Sequence, residues 1–317
     1  MKNSFKKPVM ITGCAGFIGS HVSDYFLSKG HSVVGIDSLT YAGSLENLKK
    51  SNEYDSFSFI KEDICNSEVI LDICNKNNIE WIFNFAAETH VDNSIDSDLP
   101  FFHSNIMGVR SLSSVCRNGS IKIFHISTDE VYGSKRRGSF SENDPFNPQN
   151  PYSATKAASE HIIRSYSNTY GIEFIIVRPS NNFGPRQNGE KFLPTIVRSL
   201  SEDKKIPIYG DGKNIRDWLF VKDNARIIYD IWQKSDTNQT YNISLLNEME
   251  NIEIVKKVVK ILEKDYDRSV RFVEDRLGHD FRYSISNSKI REIGINLETD
   301  FNQNLRETVR SALGDFK

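Results

Sequence analysis

Short apolar runs alternate with amphipathic stretches through the first half of the chain, and that alternation sets the expected fold. Pro8-Val-Met-Ile-Thr12, Ser32-Val-Val-Gly-Ile-Asp37, Phe57-Ser-Phe-Ile60, Trp81-Ile-Phe-Asn-Phe85, Ile121 to Ile126 and Phe174-Ile-Ile-Val-Arg178 read as strands. A helical pattern runs from Phe17 to Lys29, is stopped by Gly30, and returns near 67–77, 101–117 and 152–170. Strands and helices in this order argue for a parallel sheet covered on both faces. After Pro179 the pattern breaks into loops rich in Asn, Gly and Pro, Asn181 to Gly189 and Gly210-Asp-Gly212. Helices are expected near 222–234 and 251–264, a short strand at Tyr241-Asn-Ile243, and a polar loop from Asp275 to Asp280. No internal repeat or low-complexity linker interrupts the chain. The expected fold is α/β: a Rossmann-like doubly wound parallel sheet with a smaller C-terminal lobe over its carboxyl edge, where open α/β sheets bind ligands. Residues 1–178 form the sheet domain, with returning segments near 222–243, and 179–317 make up most of the lobe.

Composition narrows the partners more than the fold. The 317 residues are 38% hydrophobic and 26% charged, with a net charge of −2, so no overall basic field favours nucleic acid or an anionic membrane. Lys6-Lys7 and Lys135-Arg136-Arg137 read as solvated surface. Cys14, Cys65, Cys74 and Cys116 have neither C-x-x-C spacing nor a paired His cluster, which supports neither a metal site nor a disulfide framework. Met1-Lys-Asn-Ser-Phe-Lys-Lys7 has no apolar signal core, and no run of apolar residues is long enough to span a bilayer. A soluble, cytoplasmic protein is expected.

Three strings carry chemistry. Gly13-Cys-Ala-Gly16-Phe17-Ile18-Gly19 joins the first strand to the first helix. Glycines there allow a tight turn and let backbone N–H groups and a helix N-terminus meet a pyrophosphate. Alone they also fit a purely structural turn. Asp37, at the end of the second strand, adds a carboxylate that accepts from ribose hydroxyls and repels a 2′-phosphate, which favours NAD over NADP. Asp63, after the third strand, is a candidate adenine contact. Tyr152 and Lys156 stand four residues apart on one helical face, a spacing that ordinary surface pairs share. A nearby ammonium favours the phenolate of a tyrosine whose free pKa is about 10. Ser127-Thr128-Asp129-Glu130-Val-Tyr-Gly133 supplies a hydroxyl and two carboxyl groups at the end of the fifth strand. Together these groups suit a reaction with several proton transfers.

With these strings in place, the chain resembles the extended short-chain dehydrogenase/reductase family and, within it, nucleotide-sugar 4,6-dehydratases of the dTDP-glucose type. The likeness runs nearly end to end, through Asp37 to Leu48, Phe85 to Ile95, Pro151 to Lys156, Ser180 to Pro185, Glu190 to Pro194, Tyr209 to Gly212, Arg216 to Trp218 and Asp275 to Asp280. Thr128-Asp129-Glu130 is the discriminating part, because related epimerases and decarboxylases carry Ser- or Thr-rich sequence there.

The resemblance implies a catalytic set. Tyr152, backed by Lys156 and with Thr128 sharing the hydrogen bond, takes the proton of the 4-hydroxyl while hydride leaves carbon 4 for NAD. Glu130 removes the proton of carbon 5, Asp129 protonates the departing 6-hydroxyl, and hydride returns to carbon 6. It implies cofactor positions at Gly13, Gly16, Phe17, Ile18, Gly19, Asp37, Ser38, Leu39, Thr40, Asp63, Ile64, Ala86, Ala87, Thr89, Ser104, Tyr152, Lys156 and Asn182. Thr89 and Thr128 are implied to reach the sugar. Asn181, Lys191, Leu193, Pro194, Tyr209, Arg216, Asn242, Arg276 and His279 are implied around the nucleotide diphosphate of a nucleotide-hexose substrate. A homodimer is implied through the helices near 101–117 and 152–170, where Ile106, Val109, Leu112 and Val115 fit either an interface or packing on the sheet. His21, His31, His103, His125 and His161 have no implied place and read as structural or surface. The departures are Cys14 for a more usual glycine, Leu277 for a frequent proline, Arg178-Pro179 before the Asn pair, and a short loop between Gly133 and Pro151. They leave the base open between dTDP and UDP. A 4-epimerase or decarboxylase would keep Tyr152 and Lys156 but have no use for Asp129 and Glu130; a catalytically silent NAD-binding regulator would need neither pair.

Overall fold

The computed structural model describes residues 6–275 and 280–315. Six strands build most of the central sheet: β1 (Lys6–Thr12), β2 (His31–Asp37), β3 (Phe57–Lys61), β4 (Trp81–Asn84), β5 (Lys122–Ile126) and β6 (Phe174–Pro179). The chain then leaves for β7 (Asn181–Phe183), β8 (Ile206–Tyr209) and β9 (Ile215–Phe220), returns for β10 (Gln239–Ile243), and adds β11 (Glu248–Glu250) and β12 (Val270–Val273). The sheet is parallel throughout, in the order β10-β6-β5-β4-β1-β2-β3. Strand order reverses between β1 and β4, so a crevice opens at their carboxyl ends.

The helices sort onto the two faces by the period-two alternation of the strands. Val9, Ile11, Phe83 and Phe124 point to one face, where they meet Val22 and Phe26 of α1 (Phe17–Ser28) and other apolar side chains from 225–231. Met10, Val34, Ile82 and Ile123 point to the other face. There they meet α2 (Ser67–Lys76) and, after α3 (Val91–Asp96) and α4 (Leu99–Phe101), the helices α5 (Val109–Gly119) and α6 (Pro151–Tyr170). The single helix expected over 101–117 is divided, because Phe102–Gly108 is π-helical. Its Asn105 is buried and bonds the backbone N–H and C=O of Glu88, both at 3.0 Å, and Thr155 of α6 at 2.9 Å. A π-turn gives the extra residue that swings one side chain inward.

The lobe has its own core. Leu193, Ile196 and Val197 of α7 (Phe192–Ser201) come first, and α8 (Val221–Lys234) then returns to the sheet beside α1. Ile254 and Val258 of α9 (Asn251–Ile261) join α7 with β8 and β9. After α10 (Tyr266–Ser269) and α11 (Ser288–Glu292), Leu305 and Val309 of α12 (Phe301–Asp315) close it. β7 follows β6 almost directly, so sheet and lobe meet at 179–183. Among the described residues no helix is long and apolar enough to cross a membrane.

Candidate active site

The carboxyl end of β5 builds the reactive turn. Thr128 is extended, and Asp129–Tyr132 form one 3₁₀ turn. The Thr128 hydroxyl caps that turn, accepting the Glu130 N–H at 3.3 Å and donating to Asp129 Oδ1 at 3.3 Å. Asp129 is buried, and its Oδ2 has no hydrogen-bond partner. Burial, reinforced by the charges of Glu130 and Asp217, holds its carboxyl well above the usual range. Burial also raises Glu130, but Arg216 and Lys191 work against that shift. Both carboxyls are thus raised, and the cations Arg216 and Lys191 oppose the shift at Glu130, so the two groups sit in different electrostatic surroundings.

α6 brings the phenol and the amine to the same turn. Asn150 and Ser153 form a capping box, and Pro151 opens the helix, so Tyr152 sits in the first turn. The Asn150 side chain also hydrogen-bonds Glu130, joining the helix cap to the carboxylate. Tyr152 is buried and shares a hydrogen bond with Thr128. Burial raises its pKa, the charges of Glu130 and Asp129 add to the rise, and the Thr128 bond opposes it. Lys156 donates to the Ile126 carbonyl at 2.5 Å, and burial pulls its pKa down to about 8, against the pull of Glu160. Thr128, Asp129, Glu130, Tyr152 and Lys156 all line one cavity of ≈ 720 Å³.

That cavity runs back to the glycine turn. Gly13, Gly16, Phe17, Ile18, Gly19, Ala87, Thr89 and Asn182 also line it. Gly13 has φ +67°, and a Cβ there would lie 2.6 Å from the Ala86 nitrogen; one at Gly19 would lie 2.1 Å from the Gly13 carbonyl oxygen. The turn is thus pressed between β4 and α1, and the N-terminus of α1 has no side-chain cap, which suits an anion. Cys14 turns away from the cavity into the core, where its Sγ fills the space a Cβ at Gly35 would need.

Asp37, Ser38, Leu39, Thr40, Asp63, Ile64, Ala86 and Ser104 do not line the cavity wall. Asp37 orients its loop, accepting the Ala15 N–H at 3.0 Å and the Leu39 N–H at 2.8 Å, which leaves each carboxylate oxygen a second lone pair. Asp63 accepts the Cys65 N–H at 2.9 Å and faces His103 Nε2 at 2.9 Å. Partial burial raises its pKa, but those two partners outweigh it and leave it below the ordinary value. Asp63, Cys65 and His103 are the cluster of metal-ligand type among the described residues. The imidazole turns Nε2 to Asp63 and Nδ1 to Cys65 at 4.0 Å, and burial pushes the thiol up to about 12. The three groups hydrogen-bond one another, and their ligand atoms all lie within 4.8 Å of each other.

A second cavity of ≈ 530 Å³ opens under the lobe and is lined by Thr89, Asn181, Lys191, Tyr209 and Arg216. The two cavities share Thr89, Glu130, Asn181, Asn182, Gln187, Glu190 and Lys191, so the reactive turn lies where they meet. Arg216 is held by the carbonyls of Ile215 at 2.8 Å and Asp280 at 3.0 Å and lies 4.4 Å over the Tyr283 ring. Asn181 Oδ1 is buried with no hydrogen-bond partner.

Three implied nucleotide positions lie elsewhere. Asn242 is corrected: fully buried on β10, it accepts the Tyr132 O–H at 2.9 Å and donates to the Phe140 carbonyl at 3.2 Å, so its amide is already used away from both cavities. Leu193 belongs to the lobe core and Pro194 is buried beside it on α7. Arg276 and His279, like Leu277, lie outside the described residues.

The family model described as GDP-mannose 4,6 dehydratase matches residues 10–308. The chain belongs to this family. Among its relatives, the low-salt glycan biosynthesis protein Agl12 of Haloferax volcanii is 40% identical over 97% of this chain and 99% of its own. A dTDP-glucose 4,6-dehydratase of Haemophilus influenzae is 39% identical over 95% of this chain and 96% of its own. The solved structure of DesIV, a dTDP-glucose 4,6-dehydratase from Streptomyces venezuelae with NAD and TYD bound, superposes with a TM-score of 0.93 at 36% identity, covering 97% of each chain.

In this dehydratase-family chain several site residues escape a reading by motif. Asn150 appears only as a loop residue before Pro151 until the capping box and its bond to Glu130 are seen. Asp217, between Arg216 and Trp218, is buried, accepts the Asn247 N–H at 2.7 Å, and adds negative charge behind Asp129. Its place in the string Arg216-Asp-Trp218 was the available signal.

Proposed function

We propose that this chain is an NAD-dependent nucleotide-sugar 4,6-dehydratase, a hydro-lyase that converts dTDP-glucose to its 4-keto-6-deoxy product in the cytoplasm, working as a homodimer. The observation that carries the reading is the Asp129–Glu130 pair turned into the cavity beside Thr128 and Tyr152. An epimerase or decarboxylase has no step that needs a buried acid and a base side by side.

Each residue has one task. Tyr152 accepts the proton of the 4-hydroxyl, and Thr128 holds that hydroxyl. Burial and the Glu130 carboxylate disfavour the phenolate, so the step needs positive charge, from Lys156 and from the cofactor. NAD, when bound, supplies that charge and the hydride acceptor; the uncapped α1 N-terminus and the Gly13–Gly19 turn hold its pyrophosphate, and Asp37 its ribose. The new ketone acidifies carbon 5, whose proton Glu130 takes. Asp129, kept neutral, protonates the 6-hydroxyl so that it departs as water. Arg216 and Lys191 hold the diphosphate, since guanidinium forks suit phosphate oxygens. The deciding experiment incubates the pure protein with dTDP-, UDP-, CDP- and GDP-glucose and assays keto sugar. The dTDP sugar is expected to react fastest; conversion of none of them refutes the reading.

Hydride is borrowed and returned, so NAD is expected to remain bound between turnovers. Denaturing the purified protein should release a dinucleotide without a 2′-phosphate, and product should form with no matching NADH. Free NADH accumulating mole for mole with product would contradict this.

For the dimer, Val109, Leu112 and Val115 pack on the sheet and are unavailable to a second subunit. Leu99, Phe102, Met107 and Tyr170, 45–75% exposed on the 99–108 stretch and α6, offer the apolar surface instead. Sedimentation at micromolar concentration is expected to show a dimer, and Phe102→Glu with Leu99→Glu a monomer. A monomeric wild type removes the proposal.

A further inference from the structure

We infer that His125 is a positioning residue for the reaction: it heads the buried hydrogen-bond rung that fixes the helix carrying Tyr152 and Lys156 against the strand carrying Thr128, Asp129 and Glu130. The inference rests on the dehydratase reading and adds a residue to it.

His125 lies on β5, three residues before Thr128, on the face that packs against α6, and it is fully buried. Its Nδ1 is 3.0 Å from Asn84 Nδ2, and its Nε2 is 3.1 Å from the Ser159 hydroxyl oxygen. Neighbouring bonds fix the proton. Asn84 Oδ1 accepts from the Thr12 hydroxyl at 2.6 Å, so the Asn84 NH₂ group faces His125, and Nδ1 must accept. The proton is therefore on Nε2, which donates to Ser159, and Ser159 donates in turn to the Lys156 carbonyl at 2.7 Å. Thr12 also accepts the Ala86 N–H at 3.4 Å. Every bond runs in one direction, from the backbone beside the glycine turn, across β1, β4 and β5, into the turn of α6 that holds Lys156. Thr12, Asn84, His125, Ser159 and Lys156 are all buried, so water cannot replace a lost member.

The direction of the chain also requires neutral imidazole. A proton on Nδ1 would oppose the Asn84 NH₂ group and set a second cation beside Lys156. Burial first, and the Lys156 charge second, hold the ring uncharged. β5 and α6 are thus tied twice next to the reactive turn, by Ser159 to His125 and by Lys156 to Ile126. The first tie sets the helix so that the second can hold the Lys156 ammonium at the Ile126 carbonyl, one helical turn beyond Tyr152. The groups around Tyr152 and Lys156 that bear on the ionisation are Thr128, Asp129 and Glu130 after β5, Ser94 of α3 at the Tyr152 N–H, and Glu160 of α6.

The test uses the full-length protein with its bound cofactor. Stopped-flow absorbance gives the rate of nicotinamide reduction against pH, and nucleotide-sugar KM is measured alongside. Ser159→Ala removes the rung with a loss of one oxygen. It is expected to slow reduction about tenfold and His125→Phe about 10–100-fold, the scale of a misplaced reacting group. In both, the acid limb of the pH profile should move up by about half a unit as the ammonium leaves the phenol, with KM unchanged. His125→Gln, whose amide still donates to Ser159, should recover most of the rate and the limb; His125→Asn, which keeps only the Asn84 bond, should not. Independently of activity, the ¹⁵N NMR signals of His125 should show neutral ring protonated at Nε2 throughout the neutral range. A wild-type rate and limb in Ser159→Ala, equal losses in His125→Gln and His125→Asn, or an Nδ1-protonated ring would each overturn the inference. Wild-type protein that turns over no nucleotide sugar sinks the parent reading instead, and the NMR result then still decides the rung.

Discussion

Asp129→Asn is expected to leave an enzyme that oxidises its substrate and then stalls. The amide matches the carboxyl in shape, so the cavity and the Thr128 contact survive, but it has no proton to give the departing 6-hydroxyl. In the proposed mechanism Asp129, whose carboxyl is raised by burial and by the charges of Glu130 and Asp217, serves as the acid of that step. Loss of one general acid typically costs about 10²–10⁴-fold. Because oxidation comes first, reduced nicotinamide should build up on the enzyme when dTDP-glucose is added, while keto product lags. Glu130→Gln should stall at the same stage for the opposite reason, since the base for carbon 5 is gone. Tyr152→Phe should stop the sequence one step earlier, with neither absorbance nor product. Stopped-flow absorbance with a separate product assay separates the three. Wild-type product formation by both carboxyl variants would leave Asp129 and Glu130 with no part in the chemistry, and the dehydratase assignment would fall with it.

What the sequence made legible followed from periodicity and from strings whose geometry is local. The sheet, its two helical faces and the β5 turn read correctly because strands of the form Met10-Ile11-Thr12 alternate faces between helices of ordinary length. Tyr152 and Lys156 reach the same cavity because four-residue spacing places them on one face of α6. The lobe was less legible. β8, β9 and β12 are only four to six residues long, and α7 and α12 were not read as elements, because their apolar stripes meet each other only in three dimensions. Asn242 sits in a convincing string, yet strand β10 turns its side chain towards Tyr132. Val109, Leu112 and Val115 suit an interface or a core equally well, and only the sheet beneath them decides. His125 looked structural because its partners, Asn84 and Ser159, are 41 and 34 residues away.

Arg178 is the side chain whose loss should cost the fold most. It is 1% exposed and forks onto the fully buried Glu160 through bonds of 2.9 and 2.6 Å. The same guanidinium donates to the Tyr132 hydroxyl and, at 3.1 Å, to the Glu142 carbonyl, and lies 4.6 Å from the Phe146 ring centre. It therefore ties α6 to the far end of the reactive turn and to the short loop before Pro151. Arg178→Met fills much of the volume but leaves the buried Glu160 carboxylate with only the Arg164 guanidinium at 3.9 Å, which costs about 3–5 kcal/mol. At about 2 °C per kcal/mol for a chain of this size, the melting temperature should fall by roughly 6–10 °C. Arg178→Lys keeps the charge and loses the fork, so it should fall between the two. The double variant Arg178→Met, Glu160→Leu removes the stranded charge along with its partner and should recover much of the loss, because a buried ion pair and an apolar pair of similar volume are often close in stability. Calorimetry of Arg178→Met, Glu160→Leu and the double variant beside wild type gives the coupling directly. A single Arg178→Met change that melts with wild type, or a double variant less stable than the sum of its parts, would show that the pair is not what holds α6 to the turn.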